Sequence, residues 1–193
     1  MMKKIALLPL AALAVAVVLG GEIRASEQAE AAALEAYTEY SEHFFQGNYP
    51  KAAELMDPRD LEATREALLP VFLEAAKSPR EDVRIYTDSF FNGVSPESRA
   101  QMSSTEVYVA FLNLVFPEGS DVRKVFESAD LNVLRVDLQG DDKAEVHYEM
   151  IFEGRSVSKS VKMAKSSGTW YTRVNDDPKQ IAQRFRELFG LTP

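Results

Sequence analysis

The chain contains no cysteine and only two histidines, His43 and His147, among its 193 residues. The lack of cysteine excludes disulfides, thiolate metal sites, a thiol nucleophile and lipid attachment to an N-terminal cysteine. Two imidazole groups are too few for a multi-histidine metal site. We therefore expect no bound metal.

Glycine-rich phosphate-binding loops are also missing. The nine glycines are scattered through turns, and no cluster of them precedes a predicted helix. Neither histidine lies near a Gly-x-Ser-x-Gly turn, which is typical of serine hydrolases. These absences lead us to expect no cofactor and no nucleophilic catalysis.

Basic residues are fewer than acidic ones. The chain has 22 lysines and arginines and 30 acidic residues, which gives a net charge of −8. An acidic protein is repelled by the phosphate backbone of nucleic acids and by anionic lipid surfaces. We therefore expect no nucleic acid among its partners.

The N-terminus reads as a secretory signal peptide covering residues 1–25. Lys3 and Lys4 precede a short run of Ala, Leu and Val, and cleavage is expected near Gly20 or Ala25. The alternative is an uncleaved membrane anchor, although a spanning helix needs about 20 apolar residues. Residues 26–193 are then one domain outside the cytoplasm, periplasmic or secreted.

Residues 131–174 predict a four-stranded antiparallel meander. Apolar side chains alternate with polar ones along the second strand, as they do in a half-buried strand. The alternating apolar set is Ala144, Val146, Tyr148, Met150 and Phe152. Turns at Gly140, Gly154 and Gly168 are too short for parallel crossovers, so neighbouring strands must be antiparallel.

Two positions break the alternation. The apolar parity switches between Val133 and Leu134, which predicts a β-bulge. Lys159 is in phase with the inner residues Val157 and Val161, where a charge does not belong. We expect a strand end or a second bulge to turn Lys159 outward.

The remainder of the domain predicts helices. Asp57-Pro58 opens one helix, which Pro70 should kink or split. Residues 83–90 have helical spacing, but a strand is the alternative. A helix beginning at Ser103 is apolar on nearly all sides, and we expect it to lie on the sheet.

A last helix follows Asp177-Pro178. Its predicted buried stripe consists of Ile181, Phe185, Leu188 and Phe189. The fold class is therefore α+β, with N-terminal helices packed on the four-stranded meander and a C-terminal helix after it.

Several stretches resemble the nuclear-transport-factor-2-like (NTF2-like) superfamily of cystatin-like rolls. They are residues 44–52, the helix after Ser103, the Gly140 turn leading into Val146, and Gly168-Thr169-Trp170. The resemblance implies an exported protein whose helices and curved sheet enclose a cone. It leaves function open, because this fold hosts both enzymes and binding modules.

The resemblance implies that any enzyme of this type carries ionisable groups inside the cone. The inward-facing set of the meander holds no carboxylate and no histidine, whereas Glu145, His147 and Glu149 fall on the outer face. We therefore expect a non-catalytic binding or interaction protein. The candidate ligand-pocket residues are Tyr37, Tyr40, Phe44, Tyr148 and Trp170.

Other readings remain open. The ligand could be a small apolar molecule in the cone, or a protein partner or second copy could bind the outer sheet face formed by Lys162, Tyr171 and Arg173. A cofactor-independent lyase or isomerase would use His43 together with Tyr37, Tyr40 and Tyr148. A membrane-anchored interaction module is the third possibility.

Overall fold

The structure, a computed structural model, describes the backbone of residues 10–191 and the side chains of residues 26–191. Of the predicted signal segment, residues 1–9 lie outside the described residues. Within the described part, helices precede a four-stranded antiparallel sheet and one helix follows it, which confirms the α+β class. None of the helices described is both long and apolar enough to cross a membrane.

The helices, in chain order, are α1 (Leu10–Phe45), α2 (Tyr49–Glu54), α3 (Pro58–Ala75), α4 (Glu81–Phe91), α5 (Pro96–Arg99), α6 (Ser104–Val115), α7 (Asp121–Glu127) and α8 (Pro178–Phe189). The strands are β1 (Asp130–Leu138), β2 (Lys143–Phe152), β3 (Arg155–Ser166) and β4 (Thr169–Thr172).

The four strands form a simple antiparallel meander in the order β1-β2-β3-β4. Two residues connect β2 to β3 and β3 to β4, and all four have positive φ. They are Glu153 (49°), Gly154 (73°), Ser167 (51°) and Gly168 (87°). Consecutive left-handed residues form the type I′ turn, whose twist matches that of the flanking strands.

The pairing of β1 with β2 shifts register between Val133 and Arg135, which confirms the predicted bulge. Leu134 is the extra residue, and its side chain is 53% exposed. The bulge thus turns one apolar side chain outward and keeps Val133 and Val136 against the same apolar cluster.

Strand β4 is only four residues long, so it pairs with the C-terminal part of β3 alone. It ends at Thr172, two residues before the predicted end. Thr172 also makes a parallel bridge with Met56, which follows α2. This bridge joins the sheet to the helical layer.

Helix boundaries follow local capping chemistry. The Asp57 carboxylate accepts from the Arg59 amide at the start of α3, and Ser103 forms a complete capping box with Glu106 at the start of α6. Residues 83–90 lie within helix α4, so the strand alternative is wrong. Pro70 does not split the helix, because α3 runs through it as one element.

The helices form their own core, which corrects the expectation that α6 lies on the sheet. Helix α6 packs against α2, α3 and α4, while α1 lies across β1, β2 and β4. Helix α6 is apolar on most sides because it is surrounded by other helices. The small Ala33 and the ring of Tyr37, both on α1, are buried against the sheet residues Val146 and Val161.

Helix α8 completes the helical core through a narrower stripe than predicted. Phe189 is buried and packs on Phe72 of α3, with ring centroids 5.5 Å apart, and Phe185 also contacts Phe72. Leu188 is 58% exposed, so its place in the predicted stripe is wrong. It is one residue, about 100°, away from Phe189 around the helix, and therefore faces solvent.

Candidate functional site

A cavity of about 330 Å³ lies where the helical layer meets the sheet. Helix α1 supplies one wall, with Tyr37, Tyr40 and Phe44. Helix α6 supplies the opposite wall, with Tyr108, Phe111 and Leu112, and Phe126 of α7 lies beside it. Strands β2 and β3 supply Tyr148, Met150, Lys159 and Val161, and residues 173–176 complete the rim.

Four of the five candidate ligand-pocket residues meet at this cavity. Tyr37, Tyr40, Phe44 and Tyr148 all line it. The rings of Tyr37 and Tyr148 have centroids 5.5 Å apart, and Tyr40 stacks on Phe44 at 5.7 Å. Helix α1 places Tyr37, Tyr40 and Phe44 on one face because they are three and four residues apart.

Trp170 does not line the cavity. It is 4% exposed and is buried with Ala33 and Met163 in the cluster between α1 and the sheet. The register of the sheet is the reason, because Trp170 pairs with Lys165 near the end of β3, whereas Lys159 and Val161 are the β3 residues that line the cavity. The indole therefore fills core space beneath α1.

Two pairs of tyrosines place four hydroxyl groups at the cavity. The hydroxyl groups of Tyr37 and Tyr148 are neighbours, and so are those of Tyr40 and Tyr108. The Tyr108 hydroxyl also donates to the Met56 sulfur at 3.8 Å. Each pair joins α1 to the opposing wall, one to the sheet and one to α6.

Burial raises the pKa of all four cavity tyrosines. Desolvation is the largest cause at each, and it raises the pKa of Tyr108 to about 12. The neighbouring hydroxyl raises the pKa of Tyr37 and of Tyr40 further. These hydroxyls therefore stay protonated near neutral pH and act as neutral hydrogen-bonding groups.

Lys159 lies at the rim of the cavity, which corrects the expectation that it is turned outward by a bulge. Strand β3 is regular at this point, and Lys159 pairs directly with Tyr148 of β2. The side chain stays on the same face as Tyr148 and Val161, and it is exposed. A lysine tolerates this position because its ammonium group reaches solvent at the rim.

Arg173 is a second cation at the rim, and it is already paired. Its guanidinium donates to both carboxylate oxygens of Asp60 on α3, at 2.6 and 3.0 Å. Asp176, which is exposed, is the carboxylate that also lines this rim. Sequence reasoning missed Asp60, because nothing in the spacing brings residue 60 to residue 173.

The remaining predicted residues lie elsewhere. His43, offered for a lyase or isomerase, is not part of the cavity lining. On the outer sheet face, the His147 imidazole contacts the Asp137 carboxylate at 2.9 Å and Glu145 accepts from Ser160 at 2.6 Å. The side chain of Arg173 does not lie on the predicted outer face with Lys162 and Tyr171. It lies at the cavity rim, where it is paired with Asp60.

The described residues contain no group of three or more His, Asp or Glu side chains arranged to hold a metal ion. The polar side chains of the cavity lining are hydroxyls, the Lys159 ammonium, the exposed Asp176 carboxylate, and Arg173 and Asn175, which are both already hydrogen-bonded within the protein. This arrangement can donate hydrogen bonds and bury an apolar body.

Comparisons with known proteins give only remote likenesses. No family model matches the chain, and no curated protein matches it. One solved structure, named as an NTF2-like transpeptidase from Campylobacter jejuni, is 13% identical. It covers 73% of this chain and 97% of its own, with a TM-score of 0.32.

A second solved structure is a de novo designed protein with a curved β-sheet. It is 16% identical and covers 57% of this chain and 99% of its own, with a TM-score of 0.26. Both TM-scores are too low to fix a family. The α+β architecture therefore stands on the chain's own helices and sheet, and the NTF2-like resemblance stays a prediction.

Proposed function

We propose that this protein is a non-catalytic binding protein of the NTF2-like type, which holds a small and largely apolar molecule in the cavity between α1, α6 and the sheet. The observation that carries this proposal is the cavity itself. It has about 330 Å³ of space in a region where two layers could have closed on each other. Ligand pockets in proteins begin at about this size, and most of their lining is apolar.

The chemistry of the lining supports binding over the lyase or isomerase alternative. A general base must release and take up its proton near the working pH. The four cavity tyrosines keep their protons well above neutral pH, because burial raises each pKa. His43, the imidazole that such an enzyme would use, does not reach the cavity.

We also propose that the protein acts outside the cytoplasm, after removal of residues 1–25. The support is the N-terminal sequence, in which Lys3 and Lys4 precede a short apolar run. Intact-mass measurement of protein recovered from the periplasm or the medium should give a chain lacking about these residues. A full-length chain recovered from the membrane fraction would favour the anchored interaction module instead.

A cavity-filling variant tests the binding function. Val161 lines the cavity from β3, so Val161→Phe should fill part of it and weaken binding of the neutral fluorophore 1-aminoanthracene by roughly tenfold or more. Val157 lies on the same strand and the same face but outside the lining, so Val157→Phe is the matched control.

Fluorescence titration of the purified protein measures both affinities, with circular dichroism to show that each variant is folded. Native mass spectrometry of the untreated protein should also show a small molecule carried through purification. Wild-type protein that binds no fluorophore and carries no ligand would overturn the proposed function.

A further inference from the structure

The strand pair at the cavity rim places two hydrogen-bond donors side by side. Lys159 on β3 is directly opposite Tyr148 on β2, and both line the cavity. Side chains directly opposite each other in an antiparallel sheet have Cβ atoms about 4.5–5.5 Å apart, so both can contact one ligand atom group. The rigid ladder, and not a flexible loop, sets this spacing.

The ammonium of Lys159 is uncommitted. No ion pair or side-chain hydrogen bond involves it among residues 26–191, and its side chain is exposed. Its alkyl stem starts from the face that carries Val161, so the ammonium can swing over the cavity opening. A group with three donors and no acceptor calls for an acceptor on the ligand.

The hydroxyl pair below it also has a donor to spare. Tyr37 and Tyr148 are neighbours with one hydroxyl proton each, and a hydrogen bond between them would use only one of the two protons. Neither hydroxyl has another partner within the described residues. One O–H therefore remains available at the cavity surface. In the Tyr40–Tyr108 pair, by contrast, the Tyr108 hydroxyl donates its proton to the Met56 sulfur.

The other polar groups at the rim are accounted for. Arg173 is held by Asp60, and the Asn175 side chain is bonded to the backbone of Lys162 and Ser160. Asp176 is the one carboxylate in the lining, and it lies on the loop before α8 rather than on the strand pair. The strand side of the rim thus presents one ammonium and one hydroxyl, and no carboxylate.

We propose that Lys159 and Tyr148 bind the carboxylate head of a singly charged amphiphile whose apolar body occupies the cavity. This inference rests on the proposed binding function and names its ligand class. One uncommitted cation balances one negative charge, which matches a monocarboxylate better than a doubly charged phosphate monoester. The phenyl rings of Phe44 and Phe126, which also line the cavity, would contact the apolar body.

Three probes with the same chain and different heads test the proposal: octanoate, 1-octanol and octylamine. Calorimetric titration of the purified protein should give tightest binding for octanoate. Lys159→Met keeps the length of the stem and removes the charge, and it should weaken octanoate binding by roughly tenfold while leaving 1-octanol unchanged. Tyr148→Phe should weaken octanoate by a few-fold through the lost hydroxyl.

Lys162→Met is the matched control, because Lys162 is exposed on the outer face of the same strand. It should bind all three probes as the wild type does. Equal binding of octanoate and 1-octanol, unaffected by Lys159→Met, would overturn the head-group site and leave the apolar cavity function standing. Tightest binding of octylamine would overturn it in favour of Asp176. Binding of none of the three would overturn both proposals.

Discussion

Arg173 and Asp60 form a two-pronged ion pair that joins the segment after β4 to the first turn of α3. The guanidinium Nε lies 3.0 Å from one carboxylate oxygen and its terminal nitrogen 2.6 Å from the other. The backbone amide of Val174 also donates to Asp60, at 3.0 Å. One carboxylate therefore fixes the chain where it passes along the cavity rim.

Removal of Asp60 should destabilise the fold. Asp60→Ala leaves the Val174 amide and the Arg173 guanidinium without their acceptor, and the Asp60 side chain is only 13% exposed. A lost hydrogen-bonded charge partner in such a place costs about 1–3 kcal/mol. Urea unfolding measures this loss. Asp121→Ala, which breaks a solvent-exposed pair with Lys124, should cost less than about 1 kcal/mol.

A double-mutant cycle separates the pair from its surroundings. Asp60→Ala combined with Arg173→Met should cost less than the sum of the two single changes, because neither partner is left alone. If the two losses of unfolding free energy simply add, the side chains contribute independently, which would contradict the direct contact between Asp60 and Arg173.

The cavity tyrosines should make stability fall at alkaline pH. The pKa of Tyr108 is raised from 10.0 to about 12, so between these values the unfolded chain loses this proton and the folded chain keeps it. The stabilisation is complete below pH 10 and is lost as the pH rises toward 12, by about 3 kcal/mol for this residue alone. Tyr108→Phe should flatten that part of the profile in urea unfolding. An unchanged slope would contradict the burial of this hydroxyl.

Local signals in the sequence predicted the sheet and most helices. Strict alternation along β2, a parity switch at Val133, and short glycine turns determine the meander, because each depends on neighbours within a few residues. The caps at Asp57 and Ser103 are equally local. These features were confirmed because their physics is contained in the segment itself.

The relationships between layers could not be read from the sequence. The sequence of an apolar helix such as α6 does not indicate whether a sheet or other helices will cover it. In this protein α6 is covered by other helices. The pairing of Arg173 with Asp60 spans more than a hundred residues and follows no spacing rule. Lys159 was different, because its position in the alternation already placed it on the inner face of β3. The structure has it on that face, opposite Tyr148 and at the cavity rim.

The two neighbouring residues at the end of α8 should differ sharply in their contribution to stability. Phe189 is 3% exposed and packs on Phe72, so Phe189→Ala should cost about 3–5 kcal/mol. Leu188 is 58% exposed, so Leu188→Ala should change the free energy of unfolding by less than about 0.5 kcal/mol. Thermal or urea unfolding compares them directly. Similar losses for both variants would mean that Leu188 is buried too, and that α8 is rotated about its axis relative to the orientation described above.

The capping box of α6 should account for a measurable part of the stability of the helical layer. Ser103 accepts from the Glu106 amide, and Glu106 accepts in return from the Ser103 amide at 2.7 Å. Ser103→Ala removes the hydroxyl that satisfies an otherwise free amide, at a cost of about 1 kcal/mol. Ser95 has the same place before α5 but makes no such bond to the backbone, so Ser95→Ala should cost less than about half as much. Urea unfolding of the two variants measures the difference, and equal losses would show that the hydroxyl of Ser103 is not what holds the start of α6.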